Sequence, residues 1–83
     1  SKNAWRRRFA AVTAAGLNQK GRRFPAEALG VCVHLLNDPD PLVRKSVAWA
    51  IREVAIVDAT TARQFVSKHA RAMHPSVLKQ TGR

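Results

Sequence analysis

Lys45, Trp49 and Arg52 recur at i, i+4 and i+7 inside "VRKSVAWAIREV", residues 43–54. On a wheel of 100° per residue they fall together with Ile56, while Val43, Val47, Ala50 and Val54 gather within about 60° on the other side. An indole flanked by two cations offers a flat surface for a base or sugar and partners for the adjacent phosphates. A helix packed on one side only would put its largest apolar residue on the aliphatic stripe, and this one does not. A helix inside an array has neighbours on more than one side, so packing of Trp49 against a following helix pair accounts for its position equally well. Geometry alone leaves the two alternatives even.

A second cationic and aromatic cluster lies in "WRRRFA", residues 5–10. Trp5, Phe9, Val12 and Gly16 share one face of a helix at i, i+4, i+7 and i+11. Arg8 lies at the margin of that face, and Arg6 and Arg7 point away from it. Arg8 is therefore expected to be held near packed structure, which suits a fixed phosphate contact.

Motifs for bond-making chemistry are scarce. His34, His69 and His74 have no partner spacing that suggests a metal site, and His34 falls away from the apolar side of its helix. Cys32 sits among apolar neighbours at helical spacing and reads as core. There is neither a phosphate-binding glycine loop nor a GxSxG elbow. Of the carboxylates, Asp40 and Asp58 read as helix caps and Asp38 as a turn residue. Glu27 stands in a helix's first turn, where the dipole favours it, and Glu53 lies between the two faces of its helix. No general base is apparent, so no catalytic residue, no metal site and no cofactor is expected in this chain.

Fifteen Lys and Arg against five Asp and Glu give a net charge of +10 and a pI near 11.7. A hydrophobic content of 46% excludes a disordered basic tail. A folded domain this basic points to a polyanion, with nucleic acid ahead of a membrane surface and well ahead of a merely solvated basic exterior. One cysteine excludes an internal disulfide and fits a reducing compartment. No run approaches the ~20 apolar residues of a membrane span. Eighty-three residues make one small domain at most, with limited ability to bury a core. The chain opens without Met directly into helix-like sequence, which suggests an excerpt of a longer protein.

Five helices must position these groups. Asn3 can cap the first, about 3–16, and "LNQKGRR" connects it to a second at 25–37, opened by Pro25. "NDPDP" breaks that helix; Asp40 and Pro41 start a third, which runs to about Val57. Asp58 caps a fourth, roughly 59–72, with Ala62, Phe65, Val66 and His69 inward, and Pro75 opens a fifth. Short connections imply antiparallel neighbours. "WRRRFA" aligns with "VRKSVA" at an offset of 38, and "PSVLKQT" with "PLVRKSV" at an offset of 34. Helix pairs recurring at this spacing are the signature of a HEAT-like or armadillo-like solenoid. The expected architecture is an all-α solenoid fragment: one repeat over about 3–37, a second over about 40–72 and the start of a third over about 75–83.

Two of these segments carry a resemblance. "WRRRFAAV" matches a W-x-R-R pattern, and "DPDPLVRKSVAWAIREV" matches the K-a-x-x-W-x-x-R-E helix of the DNA alkylation repair enzymes. That family consists of HEAT-like-repeat DNA glycosylases that remove alkylated bases. "SVLKQTGR" resembles the start of the family's next helix, so the likeness covers nearly the whole chain. It implies that Trp49 lines the aromatic cleft around the lesion, that Arg52 contacts DNA and that Arg8 contacts the backbone near the lesion. Lys45 matches the family Lys, with a phosphate-contact or supporting role. The partner implied is double-stranded DNA containing alkylated bases, and the setting an intracellular, cytoplasmic one without membrane contact. The implied reaction is hydrolysis of the N-glycosidic bond of a cationic purine such as 3-methyladenine or 7-methylguanine. The family's catalytic Asp comes from a W-W-D-x-x-D-like segment upstream of W-x-R-R, and no carboxylate here matches it. The expectation is that this chain holds DNA and by itself excises nothing. The rival expectation is a non-catalytic HEAT-like module that binds nucleic acid or a protein.

Overall fold

Four of the five helices begin where a side chain takes up a free N–H group, and the one that starts at Pro25 has no side-chain cap. In the computed structural model, which describes residues 3–81, the helices are α1 (Ala4–Gly16), α2 (Pro25–Cys32), α3 (Pro41–Val57), α4 (Ala59–His69) and α5 (Pro75–Thr81). A 3-10 turn, Ala70–Ala72, follows α4. The described residues contain no strand, so the chain is all-α. Residues 82 and 83, the end of the expected third repeat, lie outside the described residues.

The caps fall where the sequence puts them. The Asn3 side chain accepts the Trp5 N–H at 2.9 Å, and Asp40 accepts those of Leu42 and Val43 at 2.8 and 3.3 Å. Asp58 accepts the hydroxyl and the N–H of Thr61 at 2.7 and 3.1 Å, and these two bonds hold its carboxyl below the usual carboxylate value. The cap of α5 is a histidine: His74 Nδ1 accepts the Ser76 N–H at 3.0 Å.

The helices form two layers. At the start of α3, Arg44 Nε donates to Ser76 Oγ at 3.2 Å. Two turns on, Arg52 donates to Gln80 Oε1 at 2.8 Å, so α5 runs parallel to α3. Arg7 near the start of α1 meets Asp38 just before α3. Arg23, beyond the end of α1, donates to the Val57 carbonyl that ends α3, at 2.9 Å, so α1 is parallel as well. Helices α2 and α4 pack against α3 from behind. The extents of 30 × 25 × 16 Å have the thickness of two helix layers, ~15 Å between outermost Cα atoms.

The core stripe of α3 is the expected one: Val43, Val47, Ala50 and Val54 are fully buried. Cys32 is buried too, and burial pushes its thiol up to about 12, so it is a packing residue and no redox group at neutral pH.

Two expectations need correction. Helix α2 stops at Cys32, not near 37. Past it the chain turns so that the successive residues Leu35 and Leu36 are both buried and Asp38 comes under α1. The second correction concerns α1, which does not pack through Trp5, Phe9 and Val12. Those three are exposed, Trp5 at 75% and Phe9 at 73%, while Ala11, Ala14 and Ala15 are fully buried. Arg7, Ala11 and Ala14 share a face at i, i+4 and i+7, nearly opposite Trp5. The Arg7–Asp38 ion pair, 2.6 Å from Nε to Oδ2 with side chains 16% and 4% exposed, turns that face inward. Alanines there let α1 approach α3 closely. Both Arg7 and Arg8 are half-buried; Arg7 is the one fixed by an ion pair under α1, and Arg8 stands beside it on the outer side.

Burial would raise the Asp38 pKa. The Arg7 hydrogen bond, the Asp40 N–H and the charges of Arg7 and Arg44 overcome it and hold the carboxyl below its usual value. A depressed folded pKa stabilises the fold above the unfolded value, about 3.9, and that contribution is lost as pH falls through the folded value. Asp38→Asn should therefore cost about 2 kcal/mol at pH 7, roughly a 10 °C drop in Tm. Its Tm should also fall less steeply than wild type on acidification below about pH 4; a Tm profile parallel to wild type would show that the ion pair contributes nothing.

Candidate nucleic-acid interface

The side of the α1–α3–α5 layer turned away from α2 and α4 gathers most of the exposed apolar and cationic groups singled out above. On α3 these are Leu42, Lys45, Arg52 and Ile56, all exposed, with Ile56 at 76%. Trp49 stands among them half-buried, one side packed against the core cluster. The indole is thus neither fully core nor free: packing limits its rotamers while an edge stays open to solvent. On α1 the same side carries Trp5, Phe9 and Val12. The Arg8 guanidinium lies 5.6 Å from the centroid of the Trp5 ring, a cation–π distance. A notch of about 150 Å³, lined by Ala4, Trp5, Arg8, Asp40 and Leu42, joins the two helices.

Net charge overstates how much of the basicity is available to a partner. Arg7 is spent on Asp38. Arg44 Nη1 donates to the carbonyls of Asp38 and Pro39 at 2.8 and 3.0 Å. Arg22 and Arg23 of the "LNQKGRR" connector donate to the terminal carbonyls of α1 and α3, at 3.3 and 2.9 Å. These four arginines hold the fold. Arg8 and Lys45, on the outer face, make no ion pair among the described residues. Arg52 is tethered by Gln80, a neutral partner that leaves its charge uncompensated. Gln80 escaped the sequence reading, since nothing in the chain order brings it near Arg52 before α5 docks.

Most of the carboxylates stand elsewhere. Asp38 is ion-paired, Asp58 is a cap at the far end of α3, and Glu27 is on α2. Glu53 lines the largest cleft, about 730 Å³, between α3, α4 and α5. Ile51, Ala62, Val66 and Leu78 give that cleft its apolar walls, and it meets the outer face only through Arg52 and Ile56. Asp40 reaches the edge of the outer face, with one carboxyl oxygen held by its capping bonds, and Glu53, four residues on from Trp49, stands at that edge as well. The histidines are dispersed: His34 is exposed, the His69 ring lies 4.6 Å from that of Phe65, and His74 caps α5. The described residues contain no group of three or more side chains able to hold a metal. Nor do they contain a helix long and apolar enough to cross a membrane.

An all-helical layer with aromatics set among uncompensated cations is a surface suited to nucleic acid, and sequence comparison agrees with that class. The family described as DNA alkylation repair enzyme matches residues 1–83. The chain belongs to that family. No curated protein and no solved structure matches it.

If Arg8, Lys45 and Arg52 meet phosphates, Ala at any one should lower the slope of log K against log[NaCl] for duplex DNA by about 0.9. Fluorescence anisotropy at several salt concentrations measures this. Arg7→Ala should instead lower Tm, and a slope unaffected by the three outer substitutions would remove them from the interface.

Proposed function

We propose that this chain is the DNA-holding part of a helical-repeat DNA glycosylase, with Trp49, Arg52, Arg8 and Lys45 as its contacts around an alkylated purine. The observation that carries the reading is Trp49, anchored on one side by the core and open on the other between Lys45 and Arg52. The family match supports a DNA repair role. In this reading the exposed part of the indole meets a cationic base such as 3-methyladenine or 7-methylguanine, or its deoxyribose, by cation–π and CH–π contact. Arg52 and Lys45 neutralise the flanking phosphates, and Arg8, stacked on Trp5, takes the backbone on the α1 side. The parallel α1, α3 and α5 with α2 and α4 behind them are the arrangement of stacked helix pairs, which supports the HEAT-like reading. The protein would work inside the cell, on DNA, without a cofactor.

Bond cleavage needs more than holding. An alkylated, positively charged purine is already a good leaving group, so a carboxylate stabilising the developing sugar cation could suffice. The described acidic side chains are caps, ion-paired or away from the outer face, apart from Asp40 and Glu53 at its edge. This favours, for the chain as it stands, the second reading: a module that binds DNA and does not cleave it.

Binding and excision separate these readings. The chain should bind a duplex containing 7-methylguanine, and Trp49→Ala should weaken it about tenfold, the value of one lost stacking contact. Its Tm should change by only a few degrees; a large Tm loss with unchanged affinity would make Trp49 a core residue. Incubation with methylated DNA should release no free base, and measurable release would assign catalysis to this chain.

A further inference from the structure

In that scheme Trp5 serves only to hold Arg8, and Phe9 has no role. Trp5 and Phe9 stand in successive turns, 75% and 73% exposed, on a 13-residue helix that carries three arginines and no acid. Of the six exposed large apolar residues, Phe24 alone is off the outer face of α1 and α3. We propose that the nucleic-acid interface continues from α3 onto α1, where Trp5 and Phe9 stack on nucleotides of an unpaired DNA strand. The proposal rests on the reading that this face binds DNA and says which form of DNA its α1 side takes.

The spacing selects the strand. Residues four apart on a helix are ~6 Å apart along its axis, whereas nucleotides stacked in a duplex repeat every ~3.4 Å. Two rings so spaced cannot cover successive bases of an intact duplex. They match an extended strand whose bases are unstacked, as at a gap or beside an opened lesion. Every base has a π-face, so such stacking is indifferent to sequence. The Arg8 guanidinium beside Trp5 puts positive charge where the strand's phosphate would pass, and the notch between Trp5, Arg8 and Leu42 leads on to α3. A net charge of +10 favours this polyanionic occupant over a second copy of the chain, which would bring its own excess of cations to the contact.

The test compares binding of a single-stranded deoxythymidine oligonucleotide with binding of a duplex of equal length. Trp5→Ala and Phe9→Ala should each weaken single-strand binding about tenfold or more. The salt slope should stay unchanged, because no charge is lost, and the effect on the duplex should be smaller. Trp5→Phe should restore affinity while removing that residue's share of the tryptophan quenching seen on binding. Circular dichroism checks that each variant folds, and the two alanine variants report independently. Single-strand affinity unchanged in both would overturn the inference while leaving duplex binding intact. A wild-type chain that binds neither DNA form in a salt-dependent way would overturn the DNA-holding function as well. A wild-type dimer that becomes monomeric in both variants, with DNA affinity unaltered, would make this face a contact between copies and overturn the inference.

Discussion

The ion pair between Arg7 and Asp38 sets the geometry of everything else. Asp38 is nearly buried and serves several partners: one carboxyl oxygen meets Arg7 Nε, the other accepts the Asp40 N–H at 2.9 Å, and its carbonyl accepts from Arg44. Arg44 continues to Ser76, whose hydroxyl lies 2.8 Å from His74 Nδ1, and the His74 N–H donates to the Leu36 carbonyl at 2.9 Å. One polar chain thus joins the starts of α1, α3 and α5. A half-satisfied network of this kind would cost more than an apolar junction. No buried side-chain nitrogen or oxygen among the described residues lacks a partner.

Fixing three parallel helices at one end aligns their outer faces. It also divides the arginines by task. Those that reach carbonyls or Asp38 close helix ends and dock layers, but among the described residues only Arg7, paired with Asp38, has its charge compensated; the others keep theirs. The cationic side chains free to reorient towards a polyanion are therefore fewer than the composition suggests, while nearly all of the net charge still contributes to the long-range field.

For the proposed function, this means that the chain supplies a rigid, cationic, aromatic surface more than a reactive centre. Trp49 is held by packing and Arg8 by the Trp5 ring, so neither must be immobilised at the moment of binding, which lowers the entropic cost of association. Arg52 is restrained by Gln80 in the same way. Restraint of this kind suits recognition of a base whose position on the strand is fixed by its neighbours.

The helical class, all five helix starts and the stripe of α3 were legible in the chain. Asn3, Asp40 and Asp58 act through bonds to residues two or three away, the prolines through their fixed φ and missing N–H, and Val43, Val47, Ala50 and Val54 repeat with the helix's own period. The clustering of Lys45, Trp49 and Arg52 was readable for the same reason, since all three sit on one helix. What the sequence left open is which face of α1 turns inward. Its largest apolar residues share one face and its alanines another, and periodicity ranks the first above the second. The choice was made by Asp38, 31 residues away, and by α3, whose close approach only alanines allow; in the same way Gln80 meets Arg52 only once α5 docks. Local bonds and periodicity are written along the chain; the rotation of one helix against another depends on partners that meet only when the layers close.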